Sequence, residues 1–219
     1  MTSTTRSAAR STARDLAQIA VFAALIAALS LPGAIPTGIP GVPITLQTLG
    51  VMLAGAVLGA RNGSLAVTLY VALALIGLPV LPGGRGGIAV LLGPSGGYLI
   101  GFILGAFVIG WATARLLPKY PIWSALGWTA LGGIVAIYLV GVPWTAVAAG
   151  IPLPAAALGV LVFLPGDVLK VVVTVLVARA VHRAWPSLVA PRPWPWARRA
   201  AASAPAADAG ADDTERSRA

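Results

Sequence analysis

The chain has 219 residues, of which 58% are hydrophobic and 10% charged, with a formal charge of +9. A soluble domain carries about 25% charged residues, so the composition describes a single integral membrane domain. The absence of cysteine removes any disulfide framework, and one histidine, His182, with so few acids excludes a conventional protein metal site.

Residues 1–14 are Ser, Thr, Ala and Arg and carry Arg6, Arg10 and Arg14. A positive start before an apolar run fits the beginning of a signal peptide. However, no small-residue cleavage site follows, and the run leads on to further helices. Residues 1–14 are therefore expected to be a cytoplasmic arm, and 15–31 a first membrane helix. Within it Ala20, Ala24 and Ala28 recur every four residues, with Ala23 and Ala27 on the next row. Such small-residue rows let helix backbones approach closely in lipid. Spacing alone leaves open whether this row packs internally or against another protein.

Residues 32–43, PGAIPTGIPGVP, cannot form a regular helix. A second helix is predicted over Ile44–Ala60, a polar turn at Arg61-Asn62-Gly63, and a third helix over Ser64–Val80. The stretch 81–97 holds seven glycines and one charge, Arg85. Its faint likeness to a dinucleotide fingerprint is set aside, since no strand precedes it. Glycine there lets backbone pack against a ligand or a neighbouring helix.

A fourth helix is predicted over Gly97–Leu117 and a fifth over Ile122–Val142. Residues 143–164 hold Pro143, Trp144, Pro152 and Pro154 and no charge. They read as an irregular or re-entrant segment, with room for a short helix from Ala155. Irregular backbone at membrane depth is tolerated where protein or a cavity lies beside it. Pro165-Gly166 is expected to break the chain before a sixth helix ending near Trp185. The fold class is thus all-α: six transmembrane helices with an irregular Pro/Gly-rich external loop region. Residues 15–185 form the membrane domain, and 186–219 a cytoplasmic tail without a packed core, whose tryptophans suit the membrane interface.

This topology puts Arg6, Arg10, Arg14, Arg61, Arg115, Lys119, Arg179, Arg183, Arg192, Arg198 and Arg199 on the cytoplasmic side. The external loops carry only Arg85, which agrees with the positive-inside rule. The basic balance therefore reflects membrane topology and not nucleic-acid binding.

The most informative stretch is FLPGDVLK, residues 163–170. Asp167 is the only carboxylate between Asp15 and Asp208, and Lys170 is one of two lysines. Residues three apart share a helix face. An ionisable group in hydrocarbon costs roughly 2.5–3.5 kcal/mol on insertion scales, so it turns to an interior or a wet cavity. A purely structural ion pair is the bland reading, although such pairs rarely add net stability. A ligand site is the sharper one. No nucleotide-binding P-loop and no nucleophile–base pair occur in the sequence, so neither ATP hydrolysis nor other catalysis is expected of it.

Three stretches together carry a resemblance: VPITLQTLGVMLAGAVLGARNG (42–63), GLPV with GGRGG and LLGPSGGYLIGF (77–102), and FLPGDVLK. The chain resembles the BioY family, substrate-binding subunits of energy-coupling-factor (ECF) biotin transporters, over most of 17–182. The resemblance implies a six-helix protein of the cell membrane, with no cofactor, that binds biotin from outside. It implies as partners an ECF transmembrane coupling protein and two ABC-type ATPase subunits. It assigns Asp167 and Lys170 to biotin binding and adds Tyr98 as a pocket residue and Gln47 from the first motif, whose side chain either joins the site or only shapes the loop. It directs Ala20, Ala24 and Ala28 to the coupling protein. Chemistry agrees: a carboxylate accepts a ureido N–H, and an ammonium donates to an oxygen. Tyr98 or Trp144 would cover the bicycle, and Arg85 would attract the valerate carboxylate or remain a solvated loop charge. Competing readings are a subunit for another vitamin, a stand-alone carrier, and a membrane enzyme.

Overall fold

The computed structural model describes the backbone of residues 3–32 and 44–192, with side chains from residue 12. The Pro/Gly-rich stretch 33–43 and the tail from 193 lie outside the described residues. The order is α1 (Ser3–Ser30), α2 (Gln47–Leu75), α3 (Ala89–Leu92), α4 (Gly96–Leu116) and α5 (Ile122–Ala130). A π-helical turn (Leu131–Ala136) joins α5 to α6 (Ile137–Ala149). Then come α7 (Leu153–Gly159), a 3-10 turn (Val160–Phe163) and α8 (Leu164–Ala184). Among the described residues no strand occurs; an isolated antiparallel bridge pairs Leu81 with Arg85.

Five helical stretches are long and apolar enough to cross a membrane. One of them, α2, is a hairpin. Gly59 has φ 78° and ψ −179°, which glycine adopts freely. A Cβ on Gly63 would lie 2.5 Å from the Ala54 carbonyl oxygen. Along a straight helix those residues would stand about 13 Å apart. The chain therefore reverses, and arms 47–58 and 60–75 supply two of six membrane-directed segments. The reversal falls at Gly59, just before the Arg61-Asn62-Gly63 turn expected from sequence, because the polar triplet begins the return arm. That arm ends at Leu75 and not at Val80, where Gly77, at φ 110°, turns the chain.

Helix α4 is the central post. Cβ atoms at Gly97, Gly101 and Gly105 would meet Trp144 at 2.3 Å, the Ile137 carbonyl at 2.8 Å and the Gly132 carbonyl at 2.6 Å. At Gly110 a Cβ would lie 2.3 Å from Ala60 N, on the hairpin corner. Lipid gives helices no hydrophobic reason to associate, so this backbone-to-backbone packing is what holds them.

Two expectations fail around residues 143–166. Helix α6 runs through Pro143 to Ala149 and closes on Gly150, at φ 66°. The Pro143 ring is on the exposed face, where it displaces no packed neighbour. Trp144 Nε1 donates to Gly93 O at 3.1 Å and Thr145 Oγ1 to Pro94 O at 2.8 Å, anchoring the upper half of α6. Pro165-Gly166 does not break the chain either. Pro165 sits in the first turn of α8, directly after the 3-10 turn, where proline is tolerated. Residues 153–163 are mostly helical, with α7 beginning slightly before the Ala155 start considered above.

The ends of the bundle differ in charge. Arg61, Arg115, Lys119, Arg183 and Arg192 gather at the hairpin-corner end, where Arg61 lies 4.0 Å from Asp15. The first tail residues are pinned there: the Arg192 N–H donates to Ala114 O at 2.6 Å, and Val189 packs on Gly59. Arg85 and Lys170 are at the opposite end.

Candidate functional site

At the end remote from the cationic rim, the helices enclose a cavity of about 630 Å³ including its open mouth. Leu99, Phe102, Ile137 and Phe163 form much of its apolar wall, and Leu81, Pro82 and Arg85 reach it from the loop after α2. Polar side groups come from Thr45 just before α2, Thr48 in its first turn, Tyr138 on α6 beside Ile137, and Asp167 and Lys170 on α8.

Asp167 and Lys170 are brought together on the first turns of α8, as their spacing predicts. Lys170 Nζ donates to Asp167 Oδ1 at 3.0 Å and to Thr48 Oγ1 at 2.8 Å. Tyr138 Oη donates to Asp167 Oδ2. Asp167 is 3% exposed and Lys170 8%. Each carboxylate oxygen thus has one protein donor and keeps acceptor capacity, and the ammonium keeps its third proton. Two opposite charges side by side in an apolar-walled recess can serve a ligand with a donor next to an acceptor.

Gln47, Tyr98 and Arg85 also border the cavity. Gln47 Nε2 is already committed, donating to Tyr70 Oη at 2.9 Å. Tyr70 in turn meets Ser30 Oγ at 2.8 Å and donates to Val80 O at 3.2 Å. This knot ties α1, both arms of α2 and the following loop. Tyr98 is buried on α4, edge-on to Tyr138 with ring centroids 6.3 Å apart, and its hydroxyl has no protein hydrogen-bond partner. Arg85 is half-buried and donates from Nε to Pro82 O at 3.0 Å. Trp144 is not among the lining residues; its indole is taken up by Gly93.

Ala20, Ala24 and Ala28 lie away from the cavity on the outer face of α1, all exposed. Ala23, Ile26 and Ser30 face inward instead. Sequence reasoning missed Tyr138 and Thr48. Tyr138 is one of only four tyrosines and sits in an otherwise apolar span, which was a usable signal. Thr48 carried none, being a threonine one place beyond a glutamine. Among the described residues no group of acids, histidines or cysteines could hold a metal ion.

A sequence model described as the BioY family matches residues 2–187. A protein of Rhodobacter capsulatus named biotin transporter BioY is 50% identical over 162 residues, covering 69% of this chain and 85% of its own. One of Rhizobium etli with the same name is 46% identical over 160 residues, covering 70% of this chain and 84% of its own. A crystal structure described as the S-component for biotin from an ECF-type ABC transporter superposes with a TM-score of 0.75 at 39% identity. It covers 80% of this chain and 93% of that one. These names describe transport and not catalysis. The match spans the helices that build the cavity and the α8 turn carrying Asp167 and Lys170, and on it the chain belongs to the BioY family.

Proposed function

We propose that this chain is the high-affinity biotin-binding membrane subunit of an ECF-type importer. The observation that carries the reading is the buried Asp167–Lys170 pair lining an apolar-walled cavity. Biotin presents two ureido N–H donors flanking one carbonyl acceptor, a thioether ring and an acidic tail. Asp167 would accept a ureido N–H, and Lys170 would donate its remaining proton to an oxygen of the ligand. Charge-assisted hydrogen bonds are stronger than neutral ones when water is excluded. Phe102, Phe163 and Tyr98 would cover the bicycle, Gln47 would hold the wall through Tyr70, and Arg85 at the loop would draw in the valerate carboxylate.

Two features support the wider arrangement. By the positive-inside rule, the arginines gathered at the hairpin-corner end support a cytoplasmic placement of that end, with the cavity opening outward. Both termini would then be cytoplasmic and the host the cell membrane. The exposed Ala20, Ala24 and Ala28 row suits close approach of a foreign helix, here the coupling protein that links this subunit to two ABC-type ATPases.

The test is equilibrium binding of labelled biotin to the purified full-length protein, with thiamine, riboflavin and biotin methyl ester as competitors. Saturable binding that biotin alone displaces fully is the expected result. Displacement by another vitamin reassigns the substrate, and no saturable biotin binding refutes the proposal. Biotin uptake that persists without ATPase partners would favour a stand-alone carrier.

A further inference from the structure

We propose that Tyr138 is a positioning residue for ligand recognition, aimed at Asp167 by the π-helical turn that precedes it. This rests on the biotin-binding reading above. Helix α6 begins at Ile137, directly after the π turn Leu131–Ala136. A π turn holds one residue more than an α turn, so everything after it is rotated by about 100° around the axis. The wide turn needs room, and glycines provide it. A Cβ on Gly132 would lie 2.6 Å from Ile109 Cγ1, and one on Gly133 2.5 Å from Met52 Cε. The extra residue is therefore built into the packing against α2 and α4. Its consequence one residue into α6 is that Tyr138 reaches across to α8.

There the Tyr138 hydroxyl donates to Asp167 Oδ2 while Lys170 Nζ holds Oδ1 at 3.0 Å. Two donors from different helices fix the plane of the carboxylate. A carboxylate held by Lys170 alone could turn about its side-chain bonds. The Tyr138 ring also packs edge-on against Tyr98, which faces the same cavity. Tyr138 thus presents the remaining lone pairs of Asp167 to a ligand N–H at a set angle, and contributes to affinity through Asp167.

The experiment combines affinity with infrared spectroscopy of the full-length protein. Tyr138→Phe keeps the ring and removes the hydroxyl, and biotin affinity should fall about tenfold, the effect of roughly one hydrogen bond. Placed on Asp167→Asn, the same change should alter affinity by less than about twofold, because the two act as one unit. The Asp167 carboxylate stretch, identified as the band lost in Asp167→Asn, should shift in Tyr138→Phe. An equal loss of affinity in both backgrounds, or an unshifted band, overturns the inference. If Tyr138→Phe alone does not purify as a monodisperse protein, the double variant compared with Asp167→Asn decides, and a further loss beyond about twofold overturns it. Normal biotin binding by wild type and Tyr138→Phe alike overturns this inference alone. No binding by wild type overturns it together with the transport reading.

Discussion

Replacing Asp167 with asparagine separates a ligand site from a packing pair. The substitution keeps the shape but removes the charge and one of two acceptor oxygens. In the structure those oxygens receive Lys170 Nζ at 3.0 Å and the Tyr138 hydroxyl. The introduced amide could satisfy one donor through its carbonyl. The other position becomes an N–H₂ group facing a donor. Loss of a hydrogen bond to a charged group costs about 1.5–3 kcal/mol, so biotin affinity should fall roughly ten- to more than a hundredfold at 1.4 kcal/mol per decade. Stability should fall as well, because Lys170, 8% exposed, loses its counter-charge. Breaking a buried pair costs about 3–5 kcal/mol, and the retained carbonyl places this variant toward the lower bound. Adding Lys170→Met removes the stranded ammonium and should restore thermal stability, since Met fills most of the same volume. It should not restore affinity. Isothermal titration in detergent or nanodiscs, with thermal unfolding of the same samples, reads both quantities. Recovery of biotin affinity as well as stability in the double variant would show that the pair only packs helices, and would remove Asp167 and Lys170 from the site.

Gly110→Ala and Gly127→Ala should differ in sign. At Gly110 a Cβ meets backbone of the hairpin corner at 2.3 Å, whereas at Gly127 nothing lies within 4 Å. The first should cost at least about 1–3 kcal/mol of stability by overpacking; the second should be neutral or gain up to about 1 kcal/mol from helix propensity. Unfolding midpoints of the two variants check this. Arg85→Ala should weaken biotin severalfold and biotin methyl ester hardly at all, and equal losses for both would mean that Arg85 holds its loop through Pro82. Ala24→Leu should reduce co-purification with a coupling protein while leaving biotin binding intact, because the side chain is exposed on α1; the reverse pattern would make the alanine row internal packing.

Most of the helical plan was legible because each membrane-directed run is apolar and bounded by charge, proline or glycine. The meeting of Asp167 with Lys170 was legible too, since both lie on one helix and three-residue spacing is local information. The failures share a cause. Pro143 and Pro165-Gly166 read as breaks, yet one faces outward and the other starts a helix, and a proline's cost depends on which face and which turn it occupies. The π turn at Leu131–Ala136 left no mark beyond a pair of glycines. Without that turn, helical periodicity sends Tyr138 to the wrong face, so its contact with Asp167 was out of reach. Thr48 meets Lys170 across 122 positions of chain, and no local pattern encodes such a meeting.

The glycine seam of α4 also sets where the molecule can yield. Gly101 and Gly105 press against the Ile137 and Gly132 carbonyls, and Gly97 against the Trp144 side chain, whose indole is held by Gly93. The wall bearing Tyr98, Leu99 and Phe102 is therefore stiff with respect to the wall bearing Ile137 and Tyr138. The roof has the opposite mechanics. Around Leu81, Pro82 and Arg85 the glycines 83, 84 and 87 all have positive φ and nothing within 4 Å of an added Cβ. If a ligand enters past Leu81, Pro82 and Arg85, it is these open glycines that give way, while Gly86, whose Cβ would lie 2.3 Å from the Leu78 carbonyl oxygen, stays fixed. Stiffening the roof should therefore slow both arrival and departure while leaving the equilibrium between them nearly unchanged.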